Sequence, residues 1–166
     1  MPRWGNSAGK MHDLFVATAG AAAALVGLIF VAVSINLEQI LKYPALPPRA
    51  IETLSITVGL LLVSVLVLVP GQSRTVLGVE ALTLGAVTAT ALLARRLRIT
   101  RSADQPLTWT AVPIAVIGAA TLPMVAAGIS LIVAGGGGLY WLVPGLVLGF
   151  AGAVLNAWIL LVEIHR

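Results

Sequence analysis

The sequence contains no cysteine and few charged side chains. The absence of cysteine excludes a disulfide framework, a thiolate nucleophile and a cysteine-ligated metal. Charged residues make up 10% of the 166 residues, whereas soluble domains carry about 25%. So few charges would not cover the surface of a soluble globule, and hydrophobic residues reach 59%. The composition therefore excludes a soluble enzyme, a disordered tail and a nucleic-acid-binding domain, and it predicts a polytopic membrane protein.

The sequence also lacks the motifs of common active sites. It contains no His-Glu-x-x-His zinc motif and no Walker A loop. Its two histidines, His12 and His165, fall on opposite sides of the membrane in the topology derived below, so they would not share one haem or metal. We therefore expect no enzymatic activity, no metal and no cofactor.

Five apolar segments are each long enough to cross a hydrocarbon core, which requires about 20 helical residues. They cover about residues 14–35, 51–69, 75–94, 107–133 and 139–162. The first is longer than the roughly 7–15-residue core of a signal peptide, so we interpret it as a retained helix. The longest polar stretch is 95–106, and glycines 135–138 predict a tight turn. The sequence thus predicts an all-α bundle of five transmembrane helices forming one membrane domain over residues 1–166.

The distribution of lysine and arginine predicts the orientation of the bundle. The side that holds the N-terminus carries Arg3, Lys10 and Arg74, and the other side carries Lys42, Arg49, Arg95, Arg96, Arg98, Arg101 and Arg166. The more basic side usually faces the cytoplasm. We therefore predict an external N-terminus and a cytoplasmic C-terminus. The preference for arginine over lysine, with abundant Ala, Val and Leu, is typical of GC-rich bacterial genomes, so the expected location is a bacterial inner membrane.

A basic segment follows the third span and contains Arg95, Arg96, Arg98 and Arg101. We interpret these arginines mainly as topology determinants. A basic cluster beside a bilayer also attracts anionic lipid headgroups, which we expect as a secondary role.

Small residues recur on one face of the first, third and fifth spans when residues are placed at 100° intervals. In chain order, these faces contain Gly20 and Gly27, then Gly78 and Gly85, then Gly145, Gly149 and Gly152 with Asn156. Small residues allow helix backbones to approach closely in a membrane, and asparagine can hydrogen-bond across such a contact. We predict that these faces are helix-packing surfaces. A chain of this length has difficulty burying all of them alone, so we expect a homo-oligomer or a larger membrane complex.

Glu80 is the most informative single residue. It lies about 8 Å inside the third span, where an ionised group costs up to about 3 kcal/mol, and less near the helix end. Thr83 and Thr90 share its face. One interpretation is an ion or proton pathway along Glu80, Thr83 and Thr90. The alternative is a structural carboxylate bonded to Arg74, Gln72 or a neighbouring helix.

A second carboxylate, Glu52, follows Pro47 and Pro48. We expect it in the first turn of the second span, where its charge suits the positive end of the helix dipole.

The sequence therefore predicts a small, non-enzymatic membrane protein that self-associates through its Gly/Ala faces, with an ion or proton pathway as its most concrete activity. The alternative function is an accessory subunit that docks onto a larger membrane complex. Both functions use the same faces, so the sequence does not separate them.

Overall fold

A computed structural model describes residues 5–43, 46–102, 107–134 and 137–164, and every secondary-structure element in these ranges is helical. The helices are α1 (Gly5–Ile35), α2 (Leu37–Lys42), α3 (Leu46–Val67), α4 (Arg74–Ser102), α5 (Leu107–Ile132) and α6 (Leu142–Ile164), with one 3₁₀ turn at Gly138–Trp141. Five helices, all except the short α2, are long and apolar enough to cross a membrane. The predicted all-helical fold and the number of candidate spans are confirmed.

Several helix ends differ from the predicted spans, and two of these differences change the positions of charged residues. Helix α3 begins at Leu46, about five residues earlier than expected, and Pro47 and Pro48 occupy its first turn. Proline is tolerated there because its missing N–H would have no partner within the helix. Helix α4 continues through the basic segment to Ser102, since arginine is a good helix former. Both extensions place charged side chains on helices instead of in loops.

Helices α3 to α6 form a closed ring of contacts. Along the chain, α3 packs against α4, α4 against α5, and α5 against α6, which returns to α3. Helix α1 packs outside this ring, mainly against α3. In the most apolar 18-residue stretch of each helix, 50% of the residues of α3 are buried, compared with 22% of those of α1. Helix α3 is therefore central in the bundle, and α1 is peripheral.

One face of α3 follows a seven-residue repeat and is buried: Leu46, Ala50, Thr53, Thr57, Leu60 and Ser64. The hydroxyls on this face donate to backbone carbonyls one turn earlier in the same helix. Thr57 Oγ1 donates to the Thr53 oxygen at 2.7 Å, and Ser64 Oγ donates to the Leu60 oxygen at 2.7 Å. These polar side chains therefore pack in an apolar interior without a partner on another helix.

The turn between α5 and α6 uses glycine as the sequence predicts. Gly137 has a φ of 101° and Gly138 a φ of 52°, values that favour glycine. The Gly138 N–H donates to Ser130 Oγ at 2.9 Å, which ties the turn to the end of α5. Residues 135 and 136 lie outside the described ranges.

The two ends of the bundle differ in charge. We call the end that carries Arg49, Arg95, Arg96 and Arg98 the basic end. The opposite end carries Lys10, Arg74 and Gly138.

Candidate functional site

A reciprocal glycine contact joins α4 to α5. A Cβ added to Gly128 would lie 2.7 Å from the Gly78 carbonyl oxygen, and one added to Gly78 would lie 3.0 Å from the Gly128 oxygen. A Cβ on Gly85 would lie 3.1 Å from Met124 Cβ. Gly78 and Gly85, two of the predicted packing residues, therefore lie at a contact inside one chain. Gly128 is not in the predicted set, although it is one of only two glycines in the fourth predicted span.

The small-residue face of α6 also meets helices of the same chain. A Cβ on Gly145 would lie 3.0 Å from Pro123 Cβ, and one on Gly149 would lie 2.9 Å from Leu60 Cδ2. Further along, a Cβ on Gly152 would lie 2.9 Å from Val116 Cγ1. Helix α6 therefore uses this face to pack against both α5 and α3.

Asn156 continues the same α6 face and is half-buried. Its amide makes no hydrogen bond within the described part of the chain. The interhelical hydrogen bond expected for Asn156 stays a prediction.

The glycines of α1 behave differently. No neighbouring part of the chain lies within 4 Å of a Cβ built on Gly20 or Gly27. The opposite side of α1 is the buried one, where Phe15 and Ala22 are both 0% exposed. Among the many exposed residues of α1, one set follows a three-and-four spacing along the helix: Lys10, Asp13, Ala17, Gly20, Ala24, Gly27, Val31 and Ser34. We call this set the α1 outer face.

Glu80 is half-buried on the flank of α4. The Gln72 side-chain amide donates from Nε2 to Glu80 Oε2. The other amide atom, Gln72 Oε1, is buried and has no hydrogen-bond partner among the described residues. Gln72 is one of the three partners expected if Glu80 is a structural carboxylate. The Gln72–Glu80 hydrogen bond therefore supports the structural interpretation of Glu80.

Thr83 and Thr90 are exposed on the outward side of α4. Thr83 Oγ1 donates to the Glu80 carbonyl oxygen at 3.0 Å, and Thr90 Oγ1 donates to the Ala86 oxygen at 2.8 Å. Both hydroxyls therefore face away from the centre of the bundle. A pathway along them would have to run between chains instead of through one chain.

An ion pair joins α3 to α4 at the basic end. Arg96 Nη2 donates to Glu52 Oε2 at 2.8 Å. Arg96 Nε also lies 2.7 Å from Glu52 Oε1, but the direction of its N–H does not meet the geometry of a hydrogen bond, so this second contact is an ion pair only. The two side chains are only 13% and 7% exposed. This pair is therefore a largely buried charged contact between α3 and α4.

The first-turn interpretation of Glu52 is wrong. Because α3 begins at Leu46, no acidic residue lies in its first turn. Glu52 is instead buried more than one turn inside the helix, and its charge is compensated by Arg96 on the neighbouring helix.

The predicted basic segment divides into different environments. Arg95 and Arg98 are exposed, whereas Arg96 turns inward to Glu52. The side chain of Arg101 lies outside the described residues. Arg49 lies three residues before Glu52 on α3, at the same end of the bundle as these arginines.

Among the described residues, no group of three or more His, Asp or Glu side chains is arranged to hold a metal ion. No protein-family model, curated protein or solved structure matches this chain.

Proposed function

We propose that the protein is a small, non-enzymatic integral membrane protein that self-associates through the α1 outer face. One observation carries this proposal. The small-residue faces of α4 and α6 are occupied inside the chain, whereas no neighbour lies within 4 Å of a Cβ on Gly20 or Gly27. Helices in lipid associate through close backbone packing. A spanning helix with an exposed Gly/Ala face is therefore stabilised most by packing that face against a second helix.

A second copy of the chain suits this face. Lys10 and Asp13 lie at the same end of it and are both exposed. Two parallel copies related by a two-fold axis bring Lys10 of one copy beside Asp13 of the other, and the symmetry repeats this pair. The seven-residue spacing favours a left-handed crossing near +20°.

The experiment compares two exposed sites on α1. A Gly20→Leu/Gly27→Leu variant blocks close approach without a clash inside the chain. Ala21→Leu is the matched control, because Ala21 is also exposed but lies beside the outer face. In lipid nanodiscs, we expect a dimer for wild type and for Ala21→Leu, and a monomer for the double glycine variant. A wild-type monomer, or a dimer in all three proteins, would contradict the proposed interface.

The orientation is part of the proposal: an external N-terminus and a cytoplasmic basic end, in a bacterial inner membrane. Exposed aromatic side chains support a membrane location. Tyr140 and Trp141 lie at one end of the bundle, and Tyr43 and Trp158 lie towards the other, as in the aromatic belts of membrane proteins. A reporter fused to the C-terminus is expected to read as cytoplasmic, and an external reading would reverse the topology.

The alternative proposal is an accessory subunit on a larger membrane complex. The low burial of α1 favours it, because this helix presents most of its surface to its surroundings. The nanodisc experiment separates the two functions. Recovery of a monomer together with a larger unrelated membrane protein would support the accessory subunit.

An ion or proton pathway is a further proposal, and it requires a second contact between copies, through α4, because α1 packs mainly against α3. Thr83 and Thr90 are exposed beyond Glu80 on α4, and polar groups on a lipid-facing surface favour a partner or water. These residues would line a pathway only between copies. Proton or cation flux into liposomes should then be lost in Glu80→Gln with the oligomer unchanged. Equal flux in wild type and variant would leave Glu80 as a structural residue.

A further inference from the structure

We propose that α2 is an interfacial helix at the basic end, with Leu37 and Leu41 among the lipid acyl chains and its polar side in the headgroup layer. This inference goes beyond the self-association proposed above and does not require the α1 outer face. It begins from the length of α1. The candidate span of α1 contains 27 residues and ends at Ile35, and a helix of that length extends about 40 Å. A bilayer with its headgroup layers is roughly 40–45 Å thick, so the chain reaches the headgroup layer where α2 begins.

The helical path is interrupted at Asn36, directly before α2. The Asn36 backbone has a φ of −103° and a ψ of 16°, which are not the angles of an α-helix. Asn36 Nδ2 donates to the Ala32 carbonyl oxygen at 2.9 Å, and the Asn36 backbone N–H donates to the same oxygen at 3.2 Å. An asparagine side chain that bonds to nearby backbone in this way competes with the regular hydrogen bonds of a helix. Helix α2 is therefore a separate element and not the last turn of a span.

One side of α2 is fixed to the bundle by Ile40. This side chain is 3% exposed and packs in a buried cluster with Leu46 and Ala50 at the beginning of α3. Val33, near the end of α1, packs against the same cluster. Helix α2 is thus held against both neighbouring helices, and the position of Ile40 determines which of its other side chains face outward.

The outward surface of α2 divides into an apolar side and a polar side. Leu37 and Leu41 are 49% and 66% exposed. With residues placed at 100° intervals, these two leucines lie about 40° apart and next to the side that Ile40 occupies. The polar side chains occupy the remaining arc and are all exposed: Glu38, Gln39 and Lys42. Helix α2 therefore presents one continuous apolar sector, of which Ile40 is covered by the protein and the two leucines are not.

This pattern suits the boundary between lipid and water. A helix that is apolar on one side and charged on the other lies in the plane of the interface, with its apolar side towards the acyl chains. Tyr43, which follows α2 directly, is 49% exposed, and tyrosine is enriched at the level of the headgroups. A protein partner would also cover the leucines, but two side chains offer far less than the roughly 800 Å² per partner that a stable interface buries. Lipid is therefore the occupant that we assign to this surface.

The test is spin labelling of single cysteines in the full-length protein in liposomes, since the chain has no cysteine of its own. Nitroxides are placed at Leu41→Cys and, as the matched control on the polar side of the same helix, at Glu38→Cys. Leu122→Cys is the reference for the acyl layer, because Leu122 is 67% exposed inside the span of α5. Each label is relaxed by oxygen, which dissolves among acyl chains, and by a water-soluble nickel chelate.

We expect the ratio of oxygen to nickel relaxation to rise from Glu38 to Leu41 and again from Leu41 to Leu122. If Leu41→Cys does not fold, Leu37→Cys lies on the same side of α2 and should give the same order. A ratio at Leu41 equal to that at Glu38 would overturn the inference, because the apolar side would then lie in water. Protection of the Leu41 label from both reagents would also overturn it, in favour of a protein partner on α2.

Discussion

The carbonyl oxygen of Gly78 faces the α-carbon of Gly128 so closely that a Cβ on Gly128 would lie 2.7 Å from it. The same Cβ would lie 2.7 Å from the Leu82 backbone nitrogen. Backbone atoms cannot rotate away as a side chain can. We therefore expect Gly128→Ala to separate α4 from α5 and to lower the free energy of unfolding by about 1–3 kcal/mol. Denaturant unfolding in detergent micelles measures this change.

Gly20→Ala is the control for that prediction. A Cβ on Gly20 has no neighbour within 4 Å, and alanine favours a helix more than glycine does. This variant should unfold at the same denaturant concentration as wild type or slightly higher. If Gly128→Ala and Gly20→Ala lower the free energy of unfolding by a comparable amount, the α4–α5 contact is not the cause of the loss.

We expect Gly149→Leu to impair the folding of the single chain, and not primarily the assembly of several chains. The sequence alone predicts that this substitution disrupts one or the other. A Cβ on Gly149 would lie 2.9 Å from the buried Leu60 side chain of the same chain, so the added volume strains the α3–α6 contact. We expect reduced thermal stability and partial recovery in Gly149→Leu/Leu60→Ala. Wild-type stability of Gly149→Leu would refute this contact.

Removal of one partner of the Glu52–Arg96 pair should be strongly destabilising. Both side chains are largely buried, and breaking a buried ion pair costs about 3–5 kcal/mol because the remaining charge is uncompensated. Glu52→Gln and Arg96→Gln are each expected to show this loss. The double variant should lose less than the sum, since it leaves no isolated charge. A double-mutant cycle of unfolding free energies checks this, and additive losses would contradict it.

Glu80→Gln and Glu80→Leu should differ in stability. Gln72 Nε2 donates to the Glu80 carboxylate, and a glutamine at position 80 still offers an acceptor oxygen. Leucine offers none, and it leaves the Gln72 donor without its partner at a cost of about 1–3 kcal/mol. We expect near-wild-type unfolding for Glu80→Gln and a clear loss for Glu80→Leu. Equal losses would show that the Gln72 contact does not stabilise the fold.

The sequence predicts which small residues share a face, but it does not predict what each face meets. Gly20 and Gly149 belong to equally clear ladders, yet Gly149 meets Leu60 and Gly20 meets no other part of the chain. The physical reason is that close backbone approach favours the same residues within and between chains. Helices in lipid also lack the polar outer face that marks exposure in a soluble protein.

The buried ion pair could have been inferred from the sequence once the helix start was placed correctly. Pro47 and Pro48 suggest a loop, but they fit the first turn of a helix. In an up-and-down topology, the beginning of the second span and the end of the third lie at the same level. Glu52 and Arg96 are therefore natural partners. The choice of Arg96 instead of Arg95 depends on the side of α4 that faces α3, which the sequence leaves open.

The ring of α3 to α6 closes through one pair of helices that are distant in the sequence, α3 and α6, and Leu60 meets Gly149 where they pack together. The other contacts of the ring join helices that follow one another and can pair during synthesis. Leu60 is 1% exposed in the closed ring, and its contact with Gly149 forms only after α6 has been made. Arrival of α6 is therefore the step that closes the ring. A chain stalled before that step lacks the Gly149 contact on Leu60, so an uncovered Leu60 side chain distinguishes an open ring from a closed one.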